Sequence, residues 1–275
     1  MSGLPKYRFD TKQIAYQVFF VLKMAIFLWH FQLFWAFCGK ITLYLEYYTG
    51  VIGLPELDEK EFAYKASNKK QQKLYDHYVE TFKQKPVFCL RLKKNVLSNE
   101  MKPITTLVFE PSKDMPFWKI CTIGASDYLM PERDIGWGRK ANQRNEYMML
   151  IDPEVEISQE KTEWLSLNSL LWATAEYAFN AKENITVSDT IDMQIKGKYC
   201  GTVLLLPEIF KSPSIVKCFI SKHKCISIFQ VMPISRELLS KKLRKGTNGI
   251  YWFMEQFYTY DGDYKLISSK PFATL

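Results

Sequence analysis

Five charged residues surround one long loop in the middle of the chain, and they are the first candidates for chemistry. They are Asp127, Glu132, Asp134, Arg144 and Glu146. Paired carboxylates can act as general acid and general base. Because no partner base or metal-ligand set accompanies them, we favour the alternative that they hydrogen-bond the loop backbone and satisfy buried amide groups.

The sequence lacks the motifs of nucleophilic and nucleotide chemistry. A nucleophile needs a nearby base, usually His, and the three His lie in an apolar run, a predicted helix and a predicted turn. No G-x-S-x-G, Walker-type loop or G-x-G-x-x-G is present. Cys218, His223 and Cys225 supply only three of the four ligands that zinc takes. We therefore expect no enzyme activity, no cofactor and no metal.

Two strands and the loop between them must position the charged residues. The stretches Trp118 to Gly124 and Asn145 to Ile151 are rich in β-preferring residues and are bounded by Gly, Asp and Pro. The second stretch has little polar alternation after Glu146, which is typical of a strand covered on both faces. The loop is about twenty residues long, and loops of that length are usually functional or disordered.

Other elements follow from hydrophobic periodicity. Apolar residues at helical spacing predict helices over 71–83, 163–181 and 250–258. A further helix is predicted between Ser235 as N-cap and Gly246 as C′ residue. A loop is predicted over 184–189, and a hairpin turn over 221–224. Strands are predicted over 87–92, 105–110, 198–206, 214–219 and 225–232.

The N-terminal part of the chain differs from the rest. The run from Ile14 to Cys38 is almost wholly apolar and exceeds the roughly twenty residues that span a bilayer. Lys23 and His30 lie inside it on one helical face, and a central Lys costs about 2.5–3.5 kcal/mol on insertion scales. A membrane-associated helix and a helix docked on protein both stay open. Six Cys without framework spacing suit a reducing compartment, so we expect a cytoplasmic protein with or without membrane contact through 14–38.

The net charge of +8 is concentrated near the C-terminus. Residues 211–245 contain nine Lys or Arg and one acid, Glu237. Without interleaved aromatic residues or a binding motif, this charge does not indicate specific nucleic-acid binding. It would instead raise the association rate with an acidic protein partner. The predicted basic patch consists of Lys222, Lys224, Lys241, Lys242, Arg244 and Lys245.

A set of short motifs occurs in order between residues 71 and 258. It begins with Thr122 to Asp127, Met130-Pro131, and Arg144 followed by Glu146-Tyr147-Met148. A long helix over 164–179 and a Thr-Ile pair at 190–191 come next. A strand-to-helix motif over 228–238 and Gly246 close the set. In this order the motifs resemble the suppressor of fused domain family.

The resemblance implies an α+β fold in which a mixed β-sheet is flanked by helices as an α/β/α sandwich. It also implies the absence of enzyme activity. In animals the related domain binds a transcription-factor peptide as an added strand, and in bacteria similar domains look like immunity proteins that neutralise polymorphic toxins. The apolar N-terminal helix and the inserted residues 135–143 depart from the family pattern.

We therefore predict three segments: an apolar helical extension over 1–55, a charged linker over 56–70 and a suppressor-of-fused-like domain over 71–275. The predicted function is that of a bacterial immunity protein that binds a cognate toxin directly. The alternative is a membrane-associated adaptor or scaffold. Trp137 either anchors a partner or packs in its own domain, since aromatic residues suit both places. The predicted partner-binding residues are Asp127, Tyr128, Leu129, Trp137, Arg144 and Glu146.

Overall fold

The protein is built on a mixed eight-stranded β-sheet with helices on both faces. The computed structural model describes residues 64–91, 104–157, 162–193, 199–207 and 213–258. The strands are β1 Phe88–Arg91, β2 Thr105–Phe109, β3 Trp118–Ile123, β4 Asn145–Ile151, β5 Thr190–Asp192, β6 Gly201–Leu205, β7 Lys217–Ser221 and β8 Lys224–Ile234. The α-helices are α1 Lys69–Phe82, α2 Thr162–Ala181, α3 Arg236–Arg244 and α4 Gly249–Tyr258.

The longest strand, β8, organises the sheet. The strand order is β1-β2-β3-β4-β8-β6-β5, and β7 also pairs with β8. Residues 227–230 of β8 pair in parallel with β4, whereas all other pairs are antiparallel. β8 begins beside β7 and ends beside β6, so it connects two antiparallel parts of the sheet.

The helices α1 and α2 cover opposite faces of this sheet. Leu74, Tyr78 and Phe82 of α1 form one core cluster with Leu107 of β2. The neighbouring Thr106 instead donates to Asn168 Oδ1 of α2 at 2.9 Å. Because successive side chains of a strand point to opposite faces, the sheet lies between the two helices. The predicted mixed sheet flanked by helices is confirmed.

Capping residues set the ends of two helices. Asn68 Oδ1 accepts from Gln71 N at 2.9 Å, so α1 begins at Lys69, two residues inside the segment predicted as linker. Ser235 Oγ accepts from Leu238 N at 3.3 Å. Gly246 follows α3 with φ of 55°, a backbone angle that glycine adopts easily. The predicted N-cap and C′ residues of α3 are confirmed.

The prediction around β5 was incomplete. We assigned no strand after the loop at 184–189, but Thr190–Asp192 pairs with β6 at the edge of the sheet. Three residues are too few for a periodic signal, so this strand depends on its neighbour. At Gly201, an added Cβ would lie 2.2 Å from Ile191 O, which shows how closely the two strands approach.

The predicted N-terminal extension lies outside the described residues, as does the run from Ile14 to Cys38. Within the ranges that the structure describes, no helix has the length and apolarity needed to cross a membrane.

Candidate partner-binding surface

Glu146 holds the first turn of the long loop from inside the protein. Its side chain is fully buried at the start of β4. Oε1 accepts from the backbone N–H groups of Gly124 at 3.0 Å and Ser126 at 2.9 Å. Oε2 accepts from Thr122 Oγ1 at 2.7 Å. Burial raises the pKa of Glu146 to about 7, although these hydrogen bonds favour the charged form.

Arg144 and Asp127 hold the same turn from its outer side. Arg144 Nη1 donates to Ser126 O at 2.6 Å and to Asp127 O at 3.3 Å. The carboxylate of Asp127 pairs with Lys70 and accepts from Gln71 Nε2 at 2.9 Å. The expectation that these charged residues hydrogen-bond the loop backbone is confirmed for Arg144 and Glu146, whereas the carboxylate of Asp127 binds side chains of α1 instead.

The loop becomes accessible beyond this turn. The ring of Tyr128 packs edge-on against Phe179 of α2, with 4.7 Å between the ring centroids. Leu129 is 53% exposed. Met130 and Gln143 then close the base of the loop, with 2.9 Å from Met130 N to Gln143 O. Of the predicted partner-binding residues, Tyr128 is half-buried and Leu129 reaches the surface, whereas Glu146 has no exposed surface and can act only by positioning the loop.

Residues 131–142 form a short hairpin that we call the finger. Ala141 N donates to Arg133 O at 2.9 Å, and Ile135 N donates to Arg139 O at 3.0 Å. Between these two hydrogen bonds, Asp134 forms an isolated antiparallel β-bridge with Lys140. The insertion predicted at 135–143 is therefore an ordered hairpin within the described residues.

The tip of the finger presents Trp137 to solvent. Gly136, Trp137 and Gly138 all have positive φ, at 87°, 59° and 66°. This backbone is easy for glycine but costs roughly 1–2 kcal/mol for a residue with a Cβ. The side chain of Trp137 is nevertheless 94% exposed. The alternative that Trp137 packs in its own domain is therefore wrong.

Two side chains fasten the finger to the segment between α2 and β5. Arg133 forms an ion pair with Asp189 and donates to Asn184 O at 2.8 Å. Asn184 Nδ2 donates back to Pro131 O at 2.9 Å and to Asn142 O at 3.2 Å. An open groove of about 430 Å³ lies beside these contacts. The base of the finger is thus fixed on one side by four polar contacts.

Asn142 fastens the other side of the finger to β8. Its Nδ2 donates to Cys225 O at 3.0 Å and to Ser227 Oγ at 3.1 Å. Ser227 N in turn donates to Arg144 O at 2.9 Å. The finger therefore stands beside the β7–β8 hairpin as well as beside β5.

The basic residues predicted as one patch are divided between the two ends of β8. Lys222 and Lys224 lie at the β7–β8 turn, whereas the other four lie on or just after α3. Ten residues of β8, 225–234, separate these groups and span roughly 30 Å. The prediction of one patch was wrong, because the sequence interval that joins the two groups is an extended strand.

Lys242 is also not part of the basic surface. It is buried and donates to Thr190 Oγ1 of β5. Burial lowers the pKa of its ammonium group. Lys241 is accessible and pairs with Glu237 at 2.7 Å.

The strand β7 exposes an aromatic residue that the sequence analysis missed. Phe219 is 67% exposed and pairs with Cys225, whereas Cys218 is buried and pairs with Ile226. The two Cys therefore point to opposite faces of the sheet, which removes the zinc alternative. In the described part of the chain, no group of three or more His, Cys, Asp or Glu could hold a metal ion. Residues 217–221 contain three consecutive apolar residues rather than an alternation of polar and apolar ones, so the sequence carried no periodic signal for the exposure of Phe219.

Comparison with known proteins connects this geometry to one family. The family model of the suppressor of fused protein matches residues 100–262. A protein described as a suppressor of fused homolog from Neisseria gonorrhoeae FA 1090 has a similar structure, with TM-score 0.50 and 13% identity over 72% of this chain and 92% of that chain.

Two further solved structures resemble the chain. The Sufu–Fu complex gives TM-score 0.48 and 14% identity over 73% of this chain and 90% of that chain. Drosophila Suppressor of Fused gives TM-score 0.48 and 14% identity over 72% of this chain and 49% of that chain. None of the curated proteins matches the chain.

Proposed function

The chain belongs to the suppressor of fused family, and on that premise we propose that it is a non-catalytic protein-binding module. Its contact surface is the outer side of the loop over 125–144, with Trp137 at the finger tip as the main anchor and Leu129, before the finger base, as a second exposed apolar residue. The observation that carries this proposal is the exposure of Trp137 at the finger tip. Trp is enriched at the hot spots of protein interfaces, where a few residues supply most of the binding energy.

The contacts at the base of the finger support this proposal. Arg133, Asn184 and Asn142 attach the finger to two neighbouring elements. A loop that is already ordered loses less conformational entropy when it binds, so more of the contact energy becomes affinity. Glu146 and Arg144 contribute as positioning residues, because they hold the turn from which the finger extends.

The biological role that we propose is neutralisation of a cognate toxin by direct binding, as in a bacterial immunity protein. The resemblance of the motifs between residues 71 and 258 to this family supports it, because similar domains in bacteria look like immunity proteins. The positive net charge of the chain makes a strongly basic nuclease an unsuitable target, because like charges across an interface repel. Co-expression with the product of a neighbouring toxin gene is the direct test. Continued toxicity in the presence of the folded chain would exclude this role for that pair.

A membrane-associated adaptor is the second candidate, and the apolar run over 14–38 is the observation that favours it. The two candidates differ in where the full chain is found. An adaptor of this kind stays with the membrane fraction of the host through residues 14–38, and deletion of 1–55 releases it. An immunity protein keeps its protective effect after the same deletion.

Affinity purification from the native host tests the binding surface. The full chain and its Trp137→Ala and Tyr251→Ala variants serve as baits, because Tyr251 is also largely exposed but lies on α4. We expect the Trp137→Ala variant to bind the recovered partner with about tenfold or more lower affinity, in the range of an interface hot spot. The Tyr251→Ala variant should bind normally. Equal affinity of both variants would show that the loop is not the contact surface.

A further inference from the structure

We infer that the β7–β8 hairpin and the finger form one surface, and that this surface takes an acidic protein segment that carries apolar side chains. The inference rests on the proposed function and adds the chemistry of the partner. It differs from the sequence-based prediction of a basic patch, because it includes Phe219 and excludes the cations of α3.

The finger and the β7–β8 hairpin are adjacent on one face of the sheet. Asn142 of the finger lies 3.0 Å from Cys225 O and 3.8 Å from Cys225 Sγ. Phe219 pairs directly with Cys225 across the hairpin. Directly paired residues of two strands point to the same face. The exposed ring of Phe219 therefore lies on the face of the sheet where the finger is attached.

The β7–β8 hairpin is positively charged. Residues 217–227 contain Lys217, Lys222 and Lys224 and no Asp or Glu, and all three lysines are exposed. Lys73 of α1 lies at the same end of the sheet but on the opposite face, where its Nζ donates to Ile220 O at 2.6 Å. A partner segment with acidic side chains would be attracted to this end of the sheet, and the attraction would weaken with salt.

The surface also presents large apolar side chains to solvent. Phe219, Ile135 and Trp137 are exposed large apolar residues on the hairpin and the finger. Such side chains suit apolar residues of a protein partner, which they can remove from water. The surface therefore matches a segment in which acidic and apolar residues are both present.

The exposed apolar side chains disfavour a continuous polyanion as the occupant. A phosphate backbone or a layer of anionic headgroups matches the lysines of the hairpin but not Phe219, Ile135 and Trp137. A protein segment can place acidic residues opposite the lysines and apolar residues against these three side chains. We therefore assign the surface to a protein segment.

Selection from a random peptide display library on the immobilised full chain tests this inference without knowledge of the natural partner. We expect the selected peptides to be enriched in Asp or Glu together with Leu, Ile or Phe. Their affinity should fall about tenfold for Phe219→Ser and for the double variant Lys222→Glu/Lys224→Glu. It should not change for Lys241→Glu/Arg244→Glu, which makes the same change in charge at the other end of β8.

Three outcomes overturn the inference, and a fourth leaves it standing. A library that yields no binding peptide, or peptides without acidic enrichment, shows that this surface does not take such a segment. Tighter binding of phosphatidylserine vesicles or single-stranded DNA, lost in the Lys222→Glu/Lys224→Glu variant, assigns the surface to a polyanion. If Trp137→Ala weakens peptide binding but Phe219→Ser and the hairpin charge variant do not, the inference fails while the proposed function stands. If Trp137→Ala has no effect while the hairpin variants weaken binding, the inference stands and the main anchor has been misplaced.

Discussion

Replacement of Glu146 by Gln should change how the stability of the protein depends on pH. In the folded protein the pKa of this carboxyl group is raised from 4.5 to about 7, because burial disfavours the charged form. Between about pH 4.5 and pH 7, the folded protein therefore keeps a proton on this carboxyl group that the unfolded chain has lost. Because the folded state binds more protons than the unfolded state in this pH range, the free energy of unfolding falls as the pH rises through it.

The size of the effect follows from the two pKa values. Between pH 5 and pH 8, the wild-type protein should lose about 2.5 kcal/mol of stability through this group, at 1.36 kcal/mol per pKa unit. Most of that loss is complete once the pH exceeds 7. The Glu146→Gln variant has no proton to lose at this position. Its amide can still accept from Gly124 N and Ser126 N, so the loop should keep its shape.

Guanidinium chloride denaturation at pH 5 and pH 8, followed by circular dichroism, measures this difference. We expect the change in the free energy of unfolding between the two pH values to be about 2.5 kcal/mol smaller for Glu146→Gln than for the wild-type protein. Glu154→Gln, at an exposed position, is the matched control and should behave like the wild-type protein. The same pH dependence in all three proteins would refute the assignment of a buried, proton-binding carboxyl group that holds the loop.

Three further predictions concern the sheet edge, the finger and the domain boundary. Gly201→Ala should lower the free energy of unfolding by about 2 kcal/mol or more, because the added Cβ meets Ile191 O at 2.2 Å; a thermal melt equal to that of the wild-type protein would contradict this. Arg133→Ala should increase amide hydrogen exchange in the finger, since it removes the contacts to Asp189 and the α2–β5 segment; unchanged exchange would show that the finger is held by other contacts. Deletion of 1–55 should leave a folded and soluble fragment, and an insoluble product in expression trials would place the extension within the core.

The strands and helices with long periodic patterns could be predicted from the sequence. β4 and α1 are examples, because the apolar run over 147–151 and a regular apolar stripe produce strong local signals. β5 could not be predicted in this way, since a strand of three residues exists through its pairing with β6. A local sequence pattern therefore predicts long, periodic helices and strands. Short strands such as β5 form through pairing with a neighbouring strand, which the local sequence does not show.

The candidate site was predictable in position but not in the roles of its residues. Asp127, Arg144 and Glu146 were correctly placed around the loop, but only the fold shows that Glu146 is fully buried. The exposure of Trp137 depends on three consecutive left-handed residues at a turn, which no periodic pattern reveals. The division of the basic residues likewise became visible only when β8 was seen to separate them.

Because the base of the finger is closed by hydrogen bonds, the sequence and length of the finger can change without moving the sheet. Met130 and Gln143 are hydrogen-bonded to each other where the finger leaves the sheet, so the chain departs and returns at nearly the same point. Each doubling of the length of a closed flexible loop adds only about 0.6 kcal/mol of entropic cost. The residues at the tip, 135–139, can thus be lengthened, shortened or replaced by a foreign peptide with little change to the sheet, because Arg133 and Asn142 at the base of the finger are kept. This hairpin is the natural position for grafting new recognition sequences onto the scaffold.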